Sequence, residues 1–187
     1  VFGPNARVDV PAAFHASTAD ELRFSDDSVF SAKEPDTSTL SVAAPEAFGF
    51  LSLQPTDITV NGSQLVFAPE SSVSLSCADL EISSAETQPA SLIAQGGRIT
   101  LSAAGEQGSE IPLNKAPSEQ VNGKLQISSA LVDVSGNGGG HISLNTGDAE
   151  LDHASITADN TGGCDAQGGI DLAAAGRVEI NNETIIF

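Results

Sequence analysis

Methionine, tryptophan and tyrosine are all missing from this 187-residue chain, and phenylalanine, present 8 times, is its only aromatic. A saccharide site walled by Trp or Tyr is therefore excluded. The absence of Met predicts a processed or excised piece. Cations are scarce: Lys and Arg number 7 against 25 Asp and Glu, for a formal net charge of -18. Phosphate recognition needs clustered cations, so nucleic acid and anionic lipid are excluded as partners. The acids are scattered, which suits a solvated surface and not an acidic tail. No apolar run approaches the roughly 20 residues of a spanning helix, so no embedded membrane segment is expected. No charged-then-apolar leader opens the chain either.

Cysteine is nearly absent. Cys77 and Cys164 lack the CxxC or Cys/His spacing of a zinc site. In a stacked fold they lie several layers apart, too far for a disulfide, so two free, turn-located thiols are expected.

What is present is a recurring short strand. Val8–Val10, Ile58–Val60, Val73–Leu75, Leu80–Ile82, Ile99–Leu101 and Leu125–Ile127 each place apolar residues at i and i+2. Val132–Val134, Ile142–Leu144, Ile156–Ala158, Ile170–Leu172 and Val178–Ile180 do the same. That spacing puts both side chains on one face of a pleated strand. Gly, Asn, Asp and Ser separate the strands, as turns require. Helical spacing is almost absent; Thr18-Ala19-Asp20-Glu21-Leu22 could form one short capped turn.

The strands also repeat. Gly139-Gly140-His141-Ile142-Ser143-Leu144 matches Gly168-Gly169-Ile170-Asp171-Leu172, with Ile142 and Ile170 28 positions apart. Gly96-Gly97-Arg98-Ile99-Thr100-Leu101 carries the same signature. Leu151 then corresponds to Ile180 and Ile156 to Ile185, each 29 apart, while Leu125–Ile127 and Val132–Val134 sit 24 before Ala149–Leu151 and Ile156–Ala158. Two or three short strands per 20–30 residues, punctuated by Gly-Gly, predict an all-β chain folded as a right-handed parallel β-helix, a β-solenoid with extra-helical loops. Gly is expected at the corners because they need φ > 0. The expected outward excursions are Glu106–Gln120, which holds Gly108, Pro112 and Pro117, and Thr37–Glu46. Ile185-Ile186-Phe187 falls mid-strand, so both ends are expected to be cut from a longer stack.

Val1-Phe2-Gly3-Pro4-Asn5-Ala6, with the alternating run to Val10 and the break at Pro11, resembles the segment following an Asn-Pro-Asn-Gly motif in filamentous-haemagglutinin-like exoproteins of the two-partner secretion family. Phe48-Gly49-Phe50-Leu51, Ile58-Thr59-Val60-Asn61-Gly62, Gln95-Gly96-Gly97-Arg98-Ile99 and Val132-Asp133-Val134-Ser135-Gly136-Asn137-Gly138 resemble coil motifs of cyanobacterial-type members. The resemblance implies a trailing part of a secretion domain over 1–62, with Phe2, Gly3, Pro4, Asn5 and Ala6 as its motif residues, and continuing coils over 63–187 in one solenoid. It also implies a secreted, cell-surface protein associated with the outer membrane, exported by a partner transporter and acting in adhesion through an unknown receptor. Since the recognition motifs lie upstream of Val1, this piece is not expected to direct its own secretion.

Enzymatic chemistry is hard to assemble. Parallel β-helices also host polysaccharide lyases and hydrolases, the alternative reading here. Glycosidic cleavage wants converging carboxylates, yet adjacent Asp26 and Asp27 point apart, and Asp133, Asp152 and Asp171 are expected to face solvent. Arg98, Lys115, Lys124 and Arg177 are dispersed. His15, His141 and His153 lack metal or triad spacing and are expected in solvent, and no Ser sits in Gly-x-Ser-x-Gly. Gly162-Gly163-Cys164-Asp165 resembles a single copy of the calcium β-roll repeat, so Asp159 and Asp165 are weak calcium candidates. Otherwise no cofactor, metal or catalytic residue is expected, and the chain is read as a structural, adhesive segment and not an enzyme.

Overall fold

The computed structural model describes every residue except Asn5, Arg7, Asp9, Pro11, Ala12, Leu40, 106–108, 114–120 and 164–167. Among the described residues regular structure is all strand, apart from a 3-10 turn at Pro35–Thr37. Three parallel sheets of five strands dominate. The first stacks Phe14–Ser17, Ser72–Cys77, Arg98–Ala103, His141–Thr146 and Gly169–Ala174 in that order. The second stacks Ile58–Asn61, Leu80–Ser83, Lys124–Ser128, Asp148–Asp152 and Val178–Asn181. The third stacks Gln64–Val66, Ala90–Ile93, Ala130–Asp133, Ser155–Thr157 and Ile185–Ile186. The chain visits the sheets in turn and then returns to the first, so each circuit adds one strand to each. This arrangement is compatible with the expected β-helix.

The register explains why the apolar residues recur. Val73, Ile99, Ile142 and Ile170 form one column of paired positions, and Leu75, Leu101, Leu144 and Leu172 the next. Ile82, Ile127, Leu151 and Ile180 line up in the second sheet. Leu65, Leu92, Val132 and Ile156 do so in the third. Apart from Ile180, which is 53% exposed, these columns meet in one continuous core. Burying each such side chain contributes about 1.5–3 kcal/mol. Along Lys124–Ser128 the burial alternates from residue to residue, as a strand with one wet face requires.

The glycines serve two separate needs. Gly96 and Gly139 take left-handed φ values of 64° and 72°, as expected of corners. The glycine just before each of three strands of the first sheet is fixed by close approach instead. A Cβ on Gly97 would lie 2.3 Å from the Ser71 carbonyl oxygen, on Gly140 2.5 Å from that of Gly97, and on Gly168 1.7 Å from that of Gly140. Those same carbonyls accept the N–H of Arg98, His141 and Gly169 at 2.9 Å. The expectation that corners need glycine for φ alone is thus corrected: Ser129 (φ 52°) and His153 (φ 49°) turn corners with side chains.

Four further expectations change. Val8 and Val10 lie outside any strand, and Asp9 lies outside the described residues; both valines pack against the end of the core. Glu21–Phe24 is a strand where a helical turn was expected over Thr18–Leu22. Ile156 pairs with Ile186, not Ile185, because the turn through Asn182 (φ 43°) and Glu183 (φ 53°) holds one residue more than the turn at His153. Cys77 is not in a turn but ends the strand Ser72–Cys77, paired with Ala103 and fully buried.

The glycine column generates a stability prediction. Gly140→Ala should cost about 1–3 kcal/mol by overpacking. Gly169→Ala, whose Cβ meets nothing within 4 Å, should stay within about 0.5 kcal/mol of the parent. Urea unfolding followed by circular dichroism measures both.

Candidate functional site

The site is built where the chain leaves the stack. After Ser17 it departs from the first sheet and reaches the second only at Ile58. In between, Val29–Ser31, Glu21–Phe24 and Pro45–Gly49 form an antiparallel sheet, completed by Glu110–Pro112 from the second excursion. Leu22 pairs with Phe48, and Phe48 with Ile111. Phe48, Phe50, Ala104, Ile111 and Val121 make a second small core. Both expected excursions therefore contain strand, and the first is far larger than Thr37–Glu46.

This sheet brings Asp20, Lys33 and Ser52 together. Asp20 is 8% exposed. Its Oδ2 accepts the backbone N–H of Leu51 and of Ser52, each at 2.7 Å. Its Oδ1 accepts the Ser52 hydroxyl and the Lys33 ammonium, the latter at 3.0 Å. Lys33 also donates to Ser52 Oγ. Burial opposes ionisation of Asp20, but the Ser52 hydroxyl, Lys33 and the two N–H groups outweigh it and hold the carboxyl at about 2. A Ser beside a Lys invites comparison with a nucleophile and its base. That chemistry needs an amine free to take the serine proton, whereas Lys33 Nζ is engaged with the Asp20 carboxylate at 3.0 Å. The trio is a clamp that ties together three segments of the excursion, at Asp20, Lys33 and Leu51–Ser52. Beside it opens a pocket of about 670 Å³, lined among others by Thr18, Ala32, Leu53, Gln54 and Pro55.

A second polar feature runs up the second sheet. Asp57, Asp79, Lys124, Asp148 and Arg177 each stand just before the paired residues Ile58, Leu80, Leu125, Ala149 and Val178. Asp57 Oδ1 accepts the N–H of Asp79 at 3.1 Å, Asp79 that of Lys124 at 2.7 Å, and Asp148 that of Arg177 at 2.7 Å. On the outward face Glu81, Gln126, Glu150 and Glu179 are in register. Lys124 Nζ lies 2.7 Å from Glu150, and Arg177 pairs with Glu179. Asp57, Asp79, Asp148 and Glu150 thus tie one circuit to the next, while Glu179 is paired within its own.

The residues singled out by sequence do not converge. Phe2 bridges Val60, its N–H donating to Thr59 at 2.8 Å and its carbonyl accepting from Asn61 at 2.9 Å, so the opening segment adds to the second sheet. The Gly3 carbonyl accepts the Ser63 hydroxyl at 2.7 Å, Pro4 is exposed in the turn, and Ala6 packs against the core. Asn5 and Asp165 lie outside the described residues. Asp159 is exposed, and among the described residues no group of three His, Cys, Asp or Glu is placed to hold a metal. Asp26 and Asp27 are exposed as expected, but Asp133 accepts the Ser135 N–H and the Thr157 hydroxyl, each at 2.8 Å. Burial works against its ionisation, and those bonds still lower its pKa. His141, expected in solvent, is half-buried 3.2 Å from Asp171, and His15 is bonded to Ser74 at 2.7 Å. Asp20, Lys33 and Ser52 were not anticipated; no local motif marks them. No helix among the described residues is long and apolar enough to cross a membrane. Comparison with family models, with curated proteins and with solved structures yields no match to this chain.

Two predictions follow from the geometry. Because Asp20 titrates below its ordinary 3.8 in the folded state, its stabilisation is complete above about pH 4 and lost as pH falls toward about 2. Asp20→Asn should therefore lose about 1–3 kcal/mol at neutral pH and show a shallower decline over that acid window, measured by urea unfolding at each pH. The Cys77 thiol, pushed up to about 12 by burial, should resist a maleimide reagent in the native protein and react once urea unfolds it, as intact mass will record.

Proposed function

We propose that the chain is an architectural, adhesive segment of an exported surface protein, folded as a right-handed parallel β-helix that carries lateral excursions, with no catalytic role of its own. The observation that carries this reading is the register: five circuits place like residues over like in three parallel sheets. Such stacking builds a stiff body whose length is set by the number of circuits. The right-handed preference of parallel crossovers supports the hand. The acids support a structural role, since those on the second sheet cap backbone N–H groups or pair with Lys124 and Arg177. The likeness of residues 1–6 to the two-partner secretion family supports export by a partner transporter and display at the cell surface.

The carbohydrate-active alternative keeps one observation in its favour: Glu81, Glu150 and Glu179 share one outward face. One experiment separates the two. Fluorescently labelled chain is titrated onto bacterial and epithelial cells, and unlabelled chain is incubated with acidic and neutral polysaccharides. Saturable cell binding with no release of reducing ends or unsaturated products is expected. Catalysed release of either, or the lack of saturable binding, overturns the proposal.

A further inference from the structure

We infer that the pocket beside the Asp20 clamp is a binding site for a neutral saccharide. The inference rests on the adhesive reading and names what its lateral face would hold. The pocket lies at the seam where the chain leaves the first sheet at Thr18 and returns through Pro55 and Thr56. Its volume of about 670 Å³ falls within the roughly 300–1,000 Å³ of small-ligand sites.

The chemistry of the walls selects the ligand. Asp20 and Lys33 neutralise each other at 3.0 Å, so the pocket adds no net charge. The chain around it carries a formal charge of -18, which disfavours an anion. Hydrogen-bonding capacity of both kinds remains. Lys33 uses two of its three donors, on Asp20 and Ser52. Among the described residues the Gln54 amide has no partner, so it offers donors and an acceptor. The Thr18 hydroxyl donates to the Thr56 carbonyl at 2.6 Å and keeps its lone pairs. A ligand that both donates and accepts matches this set, and sugar hydroxyls do both.

The apolar part of the wall fits the same class. Leu53 is 84% exposed on the pocket rim, beside Pro55. The C–H face of a pyranose could lie against this apolar side chain and cover it. The clamp supplies rigidity: the Leu51 and Ser52 N–H groups are both held by Asp20, which fixes the backbone just ahead of Leu53 and Gln54. Preorganised walls lessen the ordering cost of binding.

The test uses the whole chain with cellotriose, chitotriose, lactose and trigalacturonate as probes, followed by amide chemical-shift titration. At least one neutral probe should bind with millimolar or tighter Kd and shift residues 18–20, 32–33 and 52–56. Leu53→Asp and Gln54→Ala, which leave the clamp intact, should each weaken that binding about tenfold or more without changing the circular dichroism spectrum. The inference is overturned if no neutral probe shifts those residues, if trigalacturonate binds more tightly than the neutral probes, or if Leu53→Asp binds unchanged. Saturable cell binding by the Leu53→Asp chain at parent strength overturns the pocket as the adhesive site while sparing the adhesive reading; loss of cell binding in that variant supports both.

Discussion

The backbone ladder between successive circuits is the constraint on which the rest of the molecule depends. Each strand donates to and accepts from its counterpart one circuit away, so a side chain's neighbours above and below are set by register and not by choice. Apolar columns such as Val73, Ile99, Ile142 and Ile170 follow directly. So does the polar column of Asp57, Asp79 and Asp148, whose carboxylates reach the N–H groups of the circuit beyond. The ladder also explains the glycine that stands just before three strands of the first sheet. At Gly97, Gly140 and Gly168 the carbonyl of the circuit before is so near that no Cβ can fit, and that carbonyl is the acceptor of the next N–H.

Where the ladder is interrupted, a different kind of structure takes over. The excursion after Ser17 cannot draw on the stack for its hydrogen bonds, so it pairs with itself and with Glu110–Pro112 in an antiparallel sheet. It has its own small core around Phe48, Phe50 and Ile111. Aromatic residues gather here and at the first circuit, where Phe14 and Phe67 lie 5.4 Å apart. The excursion has no aliphatic column of its own, and large rings fill its small core. The Asp20 clamp then locks the excursion's own segments together through two backbone N–H groups, a hydroxyl and an ammonium. A buried carboxylate so fully satisfied is a fastening, and it occupies the Lys33 amine that acyl-transfer chemistry would need free.

Much of the stack was legible from residues. Alternation at Ile99–Leu101, Leu125–Ile127 and Ile142–Leu144 marks strands that the structure contains, and the 28-residue match of Ile142 with Ile170 gives their true register. The third sheet was harder to see. Leu65-Val66-Phe67 and Leu92-Ile93-Ala94 are apolar at every position, so no alternation announces them. Val8 and Val10 alternate like a strand, yet they serve to cover the end of the core. The slip at Ile185 came from a turn one residue longer, which no hydrophobic pattern records.

Sequence by itself determined the all-β class and the repeating faces, because a period of two and a recurring Gly-Gly are local properties of the chain. It determined, too, that the surface is strongly acidic and poor in cations. Tertiary structure alone decided which residues meet. Asp20, Lys33 and Ser52 are separated by long stretches of chain, and only the antiparallel sheet brings them within hydrogen-bonding distance. Likewise, only stacking could turn Gly140 from a flexible corner into a steric necessity. Such contacts depend on where distant segments are placed, and spacing along the chain does not encode that placement.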